Sequence, residues 1–117
     1  MRLNVEIMLR GNNHVFTETL VHPTEPVAWT EEDVAVILKA MLRATAKAQD
    51  PAGEAPAEVL LRGMNWIVHP ASDGGVVVAI EIHSASAVAG PVPMAAATLE
   101  GLIEKAVAAD SRPGLVH

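Results

Sequence analysis

Two stretches of this chain echo each other. Met8-Leu9-Arg10-Gly11-Asn12-Asn13 leads to Leu20-Val21-His22-Pro23, and Leu60-Leu61-Arg62-Gly63-Met64-Asn65 leads to Ile67-Val68-His69-Pro70. Each copy then runs into an Ala-rich amphipathic segment. Glycine beside Asn punctuates β-rich runs, and proline ends them because it cannot donate to a ladder. The echo predicts two strand-strand-helix halves, residues 1–49 and 58–109, in one α+β domain over residues 1–110, with a flexible tail at 111–117.

The local periods fill in that outline. Leu3, Val5, Ile7 and Leu9 alternate with Arg2, Asn4, Glu6, Met8 and Arg10, which is the period of a half-buried strand. Gly11-Asn12-Asn13 tolerates positive φ and predicts a hairpin into a second strand from His14 to His22. Thr30 is the expected N-cap of a helix with Glu31, Glu32 and Asp33 in its first turn and a Trp29–Val34 staple. That helix should run to about Gln49 and bury Val34, Ile37, Leu38, Met41 and Thr45.

Asp50 to Ala57 has the Pro/Ala/Gly composition of a surface connector. A third strand is expected from Glu58 to His69 and a fourth from Val76 to His83. The fourth is apolar on both faces, so it should be central or covered by a partner. Ser84 to Pro93 is a run of small residues that predicts a tight crossing into a second helix, Met94 to Ala109. Leu99, Leu102, Ile103 and Ala106 face the core there, and Gly101 implies close packing on the sheet. The expected fold is a two-layer sandwich in the order ββαββα. Its four-stranded, mainly antiparallel sheet carries both helices on one face.

Half of the 117 residues are apolar, yet there are only one Phe and two Trp and no Tyr. Small side chains bury little area each, so association with copies of the same chain would add what the core lacks. A homo-oligomer, most simply a dimer, is expected through the outer sheet face, where Val77 and Ala79 with Ile67 make an apolar strip. A different protein partner is the other occupant such a strip would suit. The net charge of −6 and eight scattered Lys and Arg residues disfavour nucleic acid and anionic lipid. No stretch has the length of an apolar membrane span, and the chain reads as soluble and cytoplasmic. The absence of cysteine excludes disulfides, thiolate nucleophiles and Cys-based zinc sites.

No motif specifies an activity. Arg62, Asn65, Glu81 and His83 are polar residues set in otherwise apolar strands, and on an open sheet face they would line a groove for a small polar ligand or simply meet water. His22, His69 and His83 stand at strand ends, but their spacing matches no metal signature, and no metal or other cofactor is expected. Ser84 to Pro91 lacks the spacing of a phosphate loop or a dinucleotide fingerprint. The composition and patterning fit a non-catalytic module that self-associates or binds a protein. The alternative is a small oligomeric enzyme with its pocket at the subunit interface near Arg62, Glu81 and His83.

Overall fold

The computed structural model describes residues 1–53, 59–61, 63–72 and 74–110. Strands β1 (Arg2–Leu9) and β2 (Val15–Val21) form a hairpin, and a short 3₁₀ turn at Pro26–Ala28 leads into helix α1 (Glu31–Gln49). Strands β3 (Asn65–Pro70), β4 (Val76–Ile82) and β5 (Ala85–Val92) follow, and helix α2 (Ala96–Asp110) closes the order. The sheet has five strands in the order β2-β1-β5-β4-β3, with antiparallel neighbours throughout.

The alternation in β1 is realised residue for residue. Leu3, Val5 and Ile7 are buried while Arg2, Asn4, Glu6 and Met8 are exposed. Thr30 caps α1 through a capping box in which Asp33 N–H donates to Thr30 Oγ1 and Asp33 Oδ2 accepts from Thr30 N–H at 2.9 Å. Val34, Ile37, Leu38, Met41 and Thr45 are buried along one stripe of α1, and Trp29 is buried beside Val34 in the same core. Leu99, Ile103 and Ala106 of α2 join that core, as do Val76, Val78 and Ile80 of β4. Both helices therefore cover the same face of the sheet and pack against each other.

The expected order ββαββα with four strands is corrected at one element. The small-residue run after His83 is a strand, β5, and not a crossing. Its inward residues are Ala85, Ala87 and Ala89 and its outward ones include Ser86 and Val88. Alanine and serine have low β-propensity and give little hydrophobic contrast, so the period-2 signal is faint in the sequence. The short alanines are buried under α1, which packs on both β5 and β1.

The second half thus carries three strands to the first half's two. Leu20-Val21 and Ile67-Val68 do match in one respect, since both lie on edge strands, β2 and β3, at opposite ends of the sheet. Leu9-Arg10-Gly11 ends β1 in a hairpin, whereas Leu60 and Leu61 lie before β3 in no strand. The expected third strand begins only at Asn65, because Leu61 packs inward and donates its N–H to the Asp110 carboxylate at 2.5 Å. Gly63 then turns the chain at φ +68°. Half of the expected connector, residues 54–57, together with Glu58 at the expected start of the third strand and the expected tail, 111–117, lie outside the described residues. Gly101 is also corrected: a Cβ there would have nothing within 4 Å, so close packing on the sheet is not its role.

Candidate functional site

The uncovered face of the sheet is where the polar candidates collect. Its rows follow from the registers. One row runs Val15, Met8, Ser86, Glu81, Asn65 across β2-β1-β5-β4-β3, and the next runs Thr17, Glu6, Val88, Ala79, Ile67. Asn65 and Glu81 are therefore direct cross-strand partners on this face, both exposed. His83 lies in the two-residue turn between β4 and β5, exposed beyond the end of the row. Arg62 lies outside the described residues.

Beside the middle of the first row, toward the turn ends of the two hairpins, lies a groove of about 250 Å³. Glu81 and Ser86 line one side, and Met8, Arg10 and Asn12 line the other. Neither Asn65 nor His83 lines it, so the structure retains Glu81 from the sequence-derived set and adds Arg10, Asn12 and Ser86. The hairpins are tied behind the groove by Arg10 N–H donating to Ser84 O at 2.9 Å, and the Gln49 side chain hydrogen-bonds Ser84 Oγ. Arg10 could have been found from the polar face of β1, which it extends past Met8. Placing it opposite Glu81 requires the β1–β5 pairing, which no local pattern announces.

A second depression of about 260 Å³ opens among Asn4, Glu6, Thr17, Val77, Val88 and Gly90. Gly90 has φ +141°, and a Cβ there would stand 3.0 Å from Val77 Cγ1 and 2.9 Å from Val76 O. Only glycine fits that backbone without displacing the neighbouring strand. The β4–β5 register also shifts between Val76 and Val78, which marks the same place as a bulge.

The histidines do not converge. His22 and His69 sit at the ends of opposite edge strands. His22 is buried, with Nε2 at 2.8 Å from Asp33 Oδ1 and its ring edge-on to Trp29. The backbone N–H of Thr30, followed by His22, holds the Asp33 carboxyl down to about 2 from its ordinary 3.8. An ionised carboxylate only accepts, so His22 Nε2 carries the proton of that bond. The pair joins the end of β2 to the cap of α1. Among the described residues no group of three or more His, Asp or Glu side chains is arranged to hold a metal ion.

No helix among them is long and apolar enough to cross a membrane. The open face is apolar on its β3-β4-β5 side, where Ile67, Ala79, Val88 and Val77 adjoin, and polar on its β1-β2 side, where Asn4, Glu6, Thr17 and Thr19 lie. Such a face can bury itself against a second surface, or hold a small ligand at its groove. Comparison of the chain with family models, with curated proteins and with solved structures finds no match.

Proposed function

We propose that this chain is a non-catalytic module that self-associates through the open face of its sheet, with a second copy as the occupant. The observation that supports this reading is the strip Ile67–Ala79–Val88 with Val77, which no described part of the chain covers. Ile67 is 61% exposed at its end. The strip carries no charge, while Glu6 and Glu81 flank it. Two copies can therefore meet strip to strip without opposing like charges, and the contact adds buried apolar area to an aromatic-poor core. A cytoplasmic location belongs to the same proposal.

Light scattering tests it. The wild-type chain should associate at micromolar concentration, and Ile67→Lys combined with Val88→Lys should lower its light-scattering mass by removing the face-to-face contact, with an unchanged circular dichroism spectrum. A wild-type monomer at roughly 100 μM would overturn the reading, since specific interfaces of ordinary size hold well below that concentration.

The groove between the hairpins supports a second reading, a small oligomeric enzyme with its pocket at the subunit interface. Glu81 and Arg10 line that groove with opposite charges. A fragment screen followed by NMR separates the two: shifts confined to Arg10, Glu81 and Ser86 favour the ligand site, and none there favours the module.

A further inference from the structure

Strand β2 is an edge, and its main-chain groups have a known direction. His22 N–H donates to Met1 O at 3.0 Å, and the Met1 amino group donates to His22 O at 2.5 Å, so both main-chain groups of His22 face β1. Main-chain groups alternate in direction along a strand. Phe16, Glu18 and Leu20 therefore turn theirs toward β1, and Val15, Thr17, Thr19 and Val21 turn theirs outward. The strand reads Val-Phe-Thr-Glu-Thr-Leu-Val, which is symmetric in character about Glu18.

That symmetry is what an antiparallel pair of identical strands needs. We propose that β2 pairs with β2 of a second copy about a two-fold axis at Glu18, joining the two sheets edge to edge. In this register Thr17 faces Thr19 of the second copy, and Val15 faces Val21. Those are the residues whose N–H and C=O groups point outward, so each pair exchanges two hydrogen bonds. Threonine pairs are favourable cross-strand neighbours. On the helix side Phe16 faces Leu20 of the second copy, beside a groove of about 190 Å³ where Phe16, Ala44, Ala48 and Pro51 meet Glu18 and Lys47. That leucine adds apolar contact to Phe16 at the groove, and the pairing covers Val15 and Val21, which are 41% and 75% exposed.

The strand has neither the proline nor the lysine that commonly blunts an edge. The opposite edge, β3, reads Asn-Trp-Ile-Val-His-Pro, has no such symmetry and ends in proline. The cost sits on the axis, where two Glu18 side chains meet. Lys47 Nζ lies 4.0 Å from the Glu18 carboxylate in each copy and offsets part of it. Glu18 thereby acts as a brake on the contact. The edge is a different surface from the open face, and this pairing does not rest on the face-to-face reading.

Amide hydrogen exchange of the full chain by NMR, at concentrations from about 10 μM to about 1 mM, decides it. The Glu18 and Leu20 amides should be protected throughout, and the Thr17 and Thr19 amides should gain protection as concentration rises. Glu18→Gln should tighten the association about two- to fivefold by removing the like-charge pair. Thr19→Pro deletes an outward N–H and spares the β1 ladder, so Thr17 should lose its protection while Glu18 keeps it. Free exchange at Thr17 and Thr19 at every concentration would overturn the pairing, and an unchanged affinity in Glu18→Gln would overturn its register. Val88→Lys separates the two surfaces. It should leave the Thr17 and Thr19 protection intact, and a dimer that Val88→Lys abolishes while those amides exchange freely supports the face and refutes the edge.

Discussion

Asp33 does more than cap a helix. Its carboxylate accepts from the Thr30 N–H and the Thr30 hydroxyl, and it also holds the buried His22 ring. A carboxyl whose native pKa lies below its unfolded one contributes stability that is complete above the unfolded value and is lost as pH falls toward the native value. With the native value at about 2 and the ordinary one at 3.8, that loss falls between those two pH values, and this group leaves stability flat near neutrality. Urea denaturation should show wild type more stable than Asp33→Asn at neutral pH, with the difference closing as pH approaches 2. A difference independent of pH would refute the assignment. Gly101 gives the opposite kind of prediction. It sits inside α2 with open space where a Cβ would go, so Gly101→Ala should stabilise the protein by about 0.5–1 kcal/mol, read as a raised urea midpoint.

Strand β5 is the element on which the sheet depends, because it joins the β1–β2 hairpin to the β4–β3 pair. Ala87 and Ala89 are fully buried, and α1 packs on their strand, so there is no room at these positions for a larger side chain. Ala87→Leu should cost about 1–3 kcal/mol through overpacking, whereas a crossing loop would have absorbed the larger side chain with little loss. A thermal melt compared with wild type checks this. The capping signal of α1 was legible in Trp29-Thr30-Glu31-Glu32-Asp33-Val34 because capping is local chemistry written in consecutive residues. Strand β5 was not legible. Its residues are strand-like only once β1 and β4 are placed on either side of them.

At the scale of the molecule, one carboxylate ties together parts that are distant in sequence. Asp110 at the end of α2 accepts the Leu61 N–H and lies 3.0 Å from Lys39 Nζ of α1. Asp110→Ala should destabilise the fold by about 1–3 kcal/mol, because the half-buried Leu61 amide loses its acceptor. The same variant should speed exchange at Leu61 more than in β4, and equal exchange at both would show that the tie is not made. The sequence by itself determined the hairpin of β1 and β2, helix α1 with its cap and buried stripe, and the pairing of an apolar with a polar face in β1. Each of these is encoded by neighbours within a few turns of chain. Only the tertiary structure decided that the sheet has a fifth strand in its middle, that Glu81 shares a groove with Arg10 and not with His83, and that β2 and β3 are the edge strands. Strand order, register and the meeting of two hairpins depend on which distant segments share a core, and alternation along one segment is the same whichever neighbour it finds.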